Sequence, residues 1–180
     1  MVVGMRLLYH YFTSKINGMA PSDLVDRIQQ EWARAYPDLD VAPIGVLGRV
    51  QRLAAVTTHR FDRNLDRHGI TRSEYDVLGA LARADGPIRA SEVVSTTMLS
   101  GASITKLTDG LAKRELLVRR RSERDGRVVL LELTDAGRAL VDVELPRRLD
   151  DDEQVLAALT PAERETLAGL LRRVLSSLGE

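Results

Sequence analysis

The sequence predicts a mostly α-helical fold with one small β-hairpin. Two observations lead to this fold class. Apolar residues recur at the spacing of an α-helix along most of the 180 residues. Two-residue alternation, in contrast, is concentrated in RVVLLEL, where three side chains share one face: Val129, Leu131 and Leu133. The preceding run LLVRRR and the turn SERDG, with its Asp-Gly pair, complete a hairpin.

The first 21 residues lie outside the predicted fold. They are apolar enough to suggest a signal peptide, but Arg6, His10 and Lys15 interrupt the apolar segment that such a peptide needs. We therefore expect a disordered N-terminal extension over residues 1–21, and Met19 could equally be the start of the protein.

Two amphipathic helices are predicted next. Residues 22–36 place three large apolar side chains on one face, Leu24, Ile28 and Trp32. Ser22 can cap the start of this helix. The segment PDLDVAP then breaks the pattern, and a longer helix follows over about residues 44–68, which Gly69 ends as a C-terminal cap.

Three short helices with tight connections precede the hairpin. The first begins at the capping box TRSE, residues 71–74, and the second covers about residues 91–97. The third runs from about Ser100 to Leu111 and beyond. This order is typical of a helix-turn-helix, and the hairpin adds a wing. We therefore predict a winged helix-turn-helix over residues 69–134.

The chain after the wing is predicted to be helical again. TPAE, residues 160–163, is a second capping box with Pro161 at the first helical position. A leucine-rich stripe follows, and it needs a partner surface. We expect a homodimer formed by residues 22–68 and 135–180, although these helices could instead fold back on their own core. Residues 22–68 are also expected to contribute to a ligand pocket.

Positive charge is concentrated near the wing of a formally neutral protein. The chain has 26 Lys+Arg and 26 Asp+Glu. The segment from Lys113 to Arg127 nevertheless holds seven basic residues against three acidic ones, and an acidic run, DDDE, begins at Asp150. Such separation can produce one basic face that meets DNA phosphates. The alternative is a solvated charged loop.

The third helix offers candidate contacts to the major groove of double-stranded DNA. Ser100, Ser103, Thr105 and Lys106 provide short hydrogen-bonding groups and one long cation on the face opposite Ile104. Ser100 is also at the position of an ordinary helix cap. Thr105 and Lys106 lie beyond the cap and are the better candidates for DNA contact.

The wing offers candidate contacts to the minor groove. Arg124 and Arg127 flank the Asp125-Gly126 turn, and an arginine at such a tip can enter a narrow minor groove. Asp125 would be repelled by phosphate, so we expect it to orient Arg127 or the turn backbone. A two-fold dimer would place two third helices about one turn of DNA apart, which predicts a pseudo-palindromic operator.

Other classes of protein are not favoured. The chain has no cysteine, which excludes disulfides and thiolate sites and fits the cytoplasm. It also lacks a membrane-length apolar run and the common nucleophile, phosphate-loop and zinc-protease motifs, so we expect no membrane insertion and no enzyme. His59 and His68 fall on opposite faces of one helix, and no metal or cofactor is expected.

The order of elements resembles the MarR family of bacterial transcriptional regulators. The wing fits the family pattern D-x-R-x-x-x-(hydrophobic)-x-L-T-x-x-G through Asp125, Arg127, Leu131, Leu133, Thr134 and Gly137. Thr105-Lys106 stands where the family usually has Thr-Arg, and LAKRELLVR matches its L-x-x-x-G-L-x-x-R frame except for Glu115 in place of glycine. The resemblance implies a DNA-binding regulator, usually a repressor, that acts as a dimer.

The N-terminal part resembles the urate-responsive and related branch of that family. Trp32 followed by PDLD matches its additional helix, while Asp76 and Arg119 match its pocket residues. Leu107 replaces a second expected arginine. The resemblance implies a small anionic or aromatic ligand that stacks on Trp32, is held by Arg119 and repels Asp76, thereby releasing DNA. Without a ligand, the protein would be a constitutive DNA-binding or protein-interaction module; Trp32 could also be a packing anchor, and Asp76 could simply pair with an arginine.

Overall fold

A computed structural model describes residues 22–97, 99–122, 125 and 128–179. Within this part of the chain there are seven α-helices and three strands. In chain order they are α1 (Leu24–Ala35), α2 (Ala42–Leu65), α3 (Arg72–Ala82), β1 (Ile88–Arg89), α4 (Ala90–Thr96), α5 (Gly101–Lys113), β2 (Leu117–Arg121), β3 (Val129–Leu133), α6 (Asp135–Leu156) and α7 (Pro161–Ser177). The mostly helical fold with a small antiparallel sheet is confirmed.

The chain divides into two compact units, one ending at Val56 and the other beginning at Thr57. The predicted boundary between the N-terminal helices and the winged region, at residue 68, stays a prediction. Among the described residues, no helix has both the length and the apolar character that crossing a bilayer requires.

In the first unit, α1 packs closely on the start of α2. A Cβ atom at Gly48 would lie 3.0 Å from Val25 Cγ1, so the glycine allows the two helices to approach. Val25 is buried at this contact. Trp32 and Tyr36 stack with ring centroids 5.4 Å apart, and both remain about half exposed.

An arginine joins the beginnings of these two helices. Arg49 on α2 donates from Nε to Asp23 (3.0 Å) and from Nη2 to Asp26 (2.6 Å). Asp23 also accepts hydrogen bonds from the backbone N–H groups of Val25 and Asp26. Asp23, and not the predicted Ser22, is therefore the N-cap; both can cap a helix, but only Asp23 is held by this arginine. The hydrogen bond from Arg49 lowers the pKa of Asp26, aided by the backbone N–H of Asp23.

The second unit is built on a core that α3, α5, α6 and the sheet share. Fifteen apolar residues form this core, with α3 supplying Tyr75, Val77, Leu78, Ala80 and Leu81. Thr71 and Glu74 form the predicted capping box that starts α3. Phe61 packs edge to face against Tyr75, with ring centroids 4.9 Å apart. Burial raises the pKa of Tyr75.

The sheet has the strand order β1-β3-β2, and both pairings are antiparallel. The predicted strands form the β2–β3 pair, in which Leu117 lies opposite Leu133 and Arg121 opposite Val129. The two-residue β1 is a third strand that the sequence reasoning missed. It pairs Ile88 with Leu131 and so covers the free edge of β3.

The turn between α5 and β2 places a residue with a side chain in the left-handed region. Glu115, where the MarR frame usually has glycine, has φ of 57°. The N–H of Glu115 donates to the Ala112 carbonyl (3.0 Å), and that of Leu116 donates to the Leu111 carbonyl (3.0 Å). This is the hydrogen-bond pattern of a Schellman motif, which normally favours glycine at the position of Glu115.

The start of α6 packs on the beginning of β2. Thr134 caps α6 by accepting from the Gly137 N–H (3.1 Å), and its hydroxyl donates to the Glu115 carbonyl (2.6 Å). A Cβ atom at Gly137 would lie 1.9 Å from the Leu116 carbonyl oxygen, so only glycine fits there.

Further along α6, the fully buried Glu144 accepts hydrogen bonds from His68 Nε2 (2.9 Å) and Arg147 Nη1 (2.6 Å).

Candidate nucleic-acid interface

The start of α5 carries the hydroxyl groups proposed for DNA contact. Ser100 is the N-cap, and its Oγ accepts from the Ser103 N–H at 3.3 Å. The hydroxyl groups of Ser100 and Ser103 lie 2.9 Å apart, within hydrogen-bond distance. Ser100 therefore has the capping role that its position suggested. Its exposed oxygen remains beside that of Ser103 at the tip of the helix.

The two faces of α5 differ in burial and polarity. Ile104 and Leu111 are fully buried, whereas Ser103, Thr105 and Lys106 are exposed. The helical period that separates these residues was readable from the sequence, and the structure places them on the expected sides. The Thr105 hydroxyl donates its proton to the Gly101 carbonyl (3.2 Å). Toward any other group, its oxygen therefore acts as a hydrogen-bond acceptor.

The small residues at the beginning of α5 were missed as a feature of the interface. Gly101 and Ala102 are both exposed, and nothing lies within 4 Å of a Cβ atom built on Gly101. Small side chains there let the helix end approach a flat or grooved surface closely. Thr108, by contrast, is buried and donates to the Thr105 carbonyl (3.1 Å), so it faces the core.

The hydroxyl groups at the end of α4, the preceding helix, donate hydrogen bonds to backbone carbonyls of that same helix. Ser95 and Thr96 donate to the Glu92 carbonyl at 2.8 and 3.1 Å, and Thr97 donates to the Val93 carbonyl at 2.8 Å. These bonds close the end of α4.

The tip of the wing is described only in part. Arg124 and Arg127 lie outside the described residues, so their proposed minor-groove contacts stay predictions. Asp125 is exposed, and its backbone carbonyl accepts from the Val128 N–H (2.9 Å) within the turn. The contact that we expect between Asp125 and Arg127 also stays a prediction.

The base of the wing has exposed arginines that the sequence reasoning counted but did not assign. Arg120 and Arg121 on β2 are both exposed. Arg120 lies 3.5 Å from Glu132, and its side chain keeps 68% of its surface accessible. Such a loosely paired surface cation is available to a phosphate.

The three residues proposed to form a ligand pocket lie in different units. Trp32 belongs to the first unit, whereas Asp76 and Arg119 belong to the second. Asp76 is half-buried on α3. Arg119 forms an ion pair with Asp109 on the exposed side of α5. Whether the three residues share one pocket stays a prediction, but the Arg119–Asp109 pair links β2 to α5.

The described residues contain no cluster of three or more histidines, cysteines or carboxylates that could hold a metal ion. His68 is engaged with the buried Glu144, and His59 lies exposed on α2.

A helix-turn-helix followed by a basic two-stranded wing defines the class of winged-helix DNA-binding proteins. Comparison with known proteins gives the family. A model of the MarR family matches residues 68–128, which span α3 to the wing. The chain is 30% identical to the HTH-type transcriptional regulator PecS of Dickeya dadantii, over 83% of this chain and 92% of that protein. The protein therefore belongs to the MarR family of transcriptional regulators.

Two further relatives agree with this assignment. The HTH-type transcriptional repressor NicR of Pseudomonas putida is 29% identical over 77% of this chain and 90% of its own. The solved structure of Bordetella bronchiseptica BpsR, whose DNA binding is regulated by 6-hydroxynicotinic acid, is 29% identical with a TM-score of 0.63. It aligns over 72% of this chain and 91% of BpsR. The family and these relatives regulate transcription and are not enzymes, which confirms that prediction.

Proposed function

We propose that this protein is a homodimeric repressor that binds a pseudo-palindromic operator and is released by a small anionic or aromatic ligand. The observation that carries the proposal is the start of α5, where Ser103, Thr105 and Lys106 are exposed beside a basic wing. The name of the relative NicR supports repression. We further propose that the protein acts in the cytoplasm.

The DNA contacts follow from the geometry of α5. Its first turns combine small residues with exposed hydroxyl groups, so the helix end can enter the major groove. Lys106 supplies a long cation for a phosphate or a guanine edge, and Thr105 supplies a short acceptor. Arg124 and Arg127 would hold the adjacent minor groove, with Asp125 as the residue that orients the tip.

The dimer is supported by large apolar residues that each unit leaves exposed. On α7 these residues are Leu170, Leu171, Val174 and Leu175, with exposed fractions between 37% and 51%. On α2 they are Val46, Leu47, Val50, Leu53 and Val56, with exposed fractions between 40% and 64%. A second copy of the chain would remove such stripes from water and would give the protein the symmetry of a palindromic operator.

The Arg119–Asp109 ion pair gives a route by which a ligand would release DNA. If Arg119 holds the negative charge of a ligand, as in the urate-responsive and related branch, the ligand must compete with Asp109 for the same guanidinium. The exposed ring of Trp32 can stack on a flat ligand, and Asp76 would feel its charge. Loss of the ion pair would loosen β2 from α5. The ligand must then bind the released state more tightly than the DNA-bound state. The regulation of BpsR by 6-hydroxynicotinic acid supports an aromatic acid as the ligand class.

The test is binding of the protein to a fluorescent duplex from its own upstream region at about 150 mM salt, with a panel of aromatic acids added. We expect tight binding to this duplex and a decrease in affinity with at least one acid. If no acid changes the affinity, the protein is a constitutive DNA-binding module. If the duplex binds no better than scrambled DNA, the repressor proposal is wrong.

A further inference from the structure

The guanidinium group of Arg114 joins the end of α5 to the turn that follows α2. Arg114 is the C-cap residue of α5. Its Nη2 donates to the His68 carbonyl (2.8 Å) and its Nη1 to the Gly69 carbonyl (2.9 Å). These carbonyls close the short 3-10 helix Asp66–His68, and the last carbonyls of a helix have no partner within it. Because the guanidinium is planar and bonds both oxygens, it fixes the direction of α5 at this end.

The turn that Arg114 holds is itself attached to α6 and lies beside α3. The His68 side chain lies 2.9 Å from Glu144, a fully buried residue of α6. Arg114 Nη1 also lies 3.8 Å from Glu74 Oε1 on α3. The other carboxylate oxygen of Glu74 accepts from the Thr71 N–H (2.7 Å) in the capping box. The carbonyls that receive the guanidinium therefore belong to a turn that a second helix holds in place.

Arg114 connects α5 to different elements from those that Arg119 reaches. The ion pair between Arg119 and Asp109 attaches α5 to β2, and so to the wing. Arg114 attaches α5 to the end of α2 and, through His68, to α6. The end of α2 and the whole of α6 belong to the segments proposed to form the dimer. Arg114 therefore lies between the helix proposed to read DNA and the helices proposed to join the protomers.

A small change in the direction of α5 would move its first turn by about one base pair. The helix has 13 residues. At about 1.5 Å per residue it is roughly 20 Å long, so a rotation of about 10° at its end moves its start by roughly 3 Å. One base pair occupies about 3.4 Å of the DNA axis. In a two-fold dimer both copies of α5 move, which doubles the effect on their separation.

We propose that Arg114 is a positioning residue that fixes the direction of α5 and thereby selects the spacing of the operator half-sites. This rests on the proposed function, since half-site spacing matters only for a dimer on a pseudo-palindromic operator. Arg114 acts without touching the bases, because the residues near the start of a recognition helix contact them and Arg114 lies at the opposite end. Without it, each half-site is still bound, but several spacings are accepted.

The first measurement is the distance between the two copies of α5 in the full-length protein without DNA. The chain has no cysteine, so Ala102→Cys places one nitroxide label on each protomer. Ala102 is exposed in the first turn of α5. Pulsed electron paramagnetic resonance then gives the distribution of distances between the two labels.

The variants separate the contact of Arg114 from a general loss of stability. Arg114→Gln removes the planar guanidinium, whereas Arg114→Lys keeps the charge and can reach one carbonyl. Arg138→Gln is the matched control, because Arg138 also donates to a carbonyl at a helix end, that of Ala82 (3.0 Å), but joins α6 to α3 instead. The change in charge is identical. If Arg114→Gln does not fold, Arg114→Lys takes its place in the comparison.

We expect one narrow distance distribution in the parent protein and in Arg138→Gln. In Arg114→Gln the distribution should shift or broaden by about 3 Å or more, and Arg114→Lys should recover part of this change. Identical distributions in the parent protein and Arg114→Gln would overturn the proposal. An equal change in Arg138→Gln would also overturn it, since the loss of any such contact would then be sufficient.

The second measurement is the affinity for duplexes in which the half-sites lie one base pair closer together or farther apart. Footprinting on the duplex from the upstream region locates the half-sites, and base pairs are then removed or inserted between them. Lys113→Gln controls for charge, since Lys113 is the exposed neighbour of Arg114. We expect the parent protein and Lys113→Gln to bind the natural spacing about tenfold more tightly than either altered spacing, and Arg114→Gln to prefer it only about two- to threefold. An equal loss of affinity at every spacing would overturn the proposal.

Failure of the proposed function would give a different result. Equal binding of the upstream duplex and of scrambled DNA by the parent protein would refute the repressor, and the selection of half-site spacing with it. A parent protein that distinguishes the two DNAs, together with an Arg114→Gln variant that keeps the spacing preference of the parent, would refute the role of Arg114 alone.

Discussion

Glu115 is a position where one substitution should stabilise the protein by removing backbone strain. Its φ of 57° places a residue with a Cβ atom in the left-handed region, within the turn that ends α5. That conformation costs an ordinary residue about 1–2 kcal/mol. Glycine adopts it without this penalty but loses about 0.5–1 kcal/mol more backbone entropy on folding than alanine. Glu115→Gly should therefore raise the free energy of unfolding by about 0.5–1 kcal/mol.

The backbone contacts of the turn do not depend on the side chain of Glu115. Its N–H and carbonyl bond to Ala112 and Thr134, and its side chain is exposed. For a chain of this length the gain corresponds to a rise in melting temperature of roughly 1–4 °C. Calorimetry at one fixed protomer concentration measures it, because dimer stability depends on concentration. Glu115→Ala is the control, since alanine keeps the Cβ atom and should give no such gain.

The reasoning fails if Glu115→Gly is no more stable than Glu115→Ala. In that case either the left-handed conformation carries little strain here or the turn relaxes when the side chain is removed. A gain in both variants would instead identify the glutamate side chain, and not the backbone, as the source of instability.

Three further predictions follow from contacts in the two units. Gly137→Ala should lower the free energy of unfolding by about 2–4 kcal/mol, since its Cβ atom would overlap a backbone carbonyl; an unchanged urea midpoint would show that α6 shifts at little cost. Because the hydrogen bond from Arg49 holds the pKa of Asp26 low, this pair stabilises the fold above about pH 4, and the contribution disappears as the pH falls through the lowered pKa. Arg49→Met should therefore flatten the acid side of the stability curve, and an unchanged curve would contradict this role. Asp109→Ala should free Arg119 and tighten the binding of an anionic ligand roughly two- to fivefold, as measured by quenching of the single tryptophan. Equal ligand affinities of the parent protein and the variant would show that this ion pair does not compete with the ligand.

The parts of the fold that could be predicted from the sequence depend on residues close together in the chain. The capping box of α3 depends on Thr71 and Glu74, which lie within one turn of helix. The capping box of α7 and the β2–β3 pairing rest on similarly short-range signals. The two faces of α5 were predictable for the same reason, since the helical period alone separates Ile104 from Lys106.

The features that escaped sequence reasoning depend on distant partners. The strand β1 has two residues, and its pairing with β3 spans more than 40 positions along the chain. Nothing near Glu144 indicates that it is buried, because its partner His68 lies 76 residues away. Arg119 was recognised as a candidate ligand contact, but its ion pair with Asp109 required the turn after α5 to bring β2 alongside the helix.

The central claim is that α5 reads DNA, and Lys106 tests it most directly. The measurement is fluorescence anisotropy of the upstream duplex and of a scrambled duplex over a series of salt concentrations, for the parent protein, Lys106→Ala and Lys113→Ala. Lys113 lies exposed near the opposite end of the same helix and provides the matched loss of charge. We expect the parent protein to prefer the upstream duplex by about 1,000-fold or more. We expect Lys106→Ala, but not Lys113→Ala, to weaken this binding about tenfold and to reduce the slope of log affinity against log salt by about one. Equal binding of both duplexes by the parent protein, or equal effects of the two lysine variants, would contradict the account.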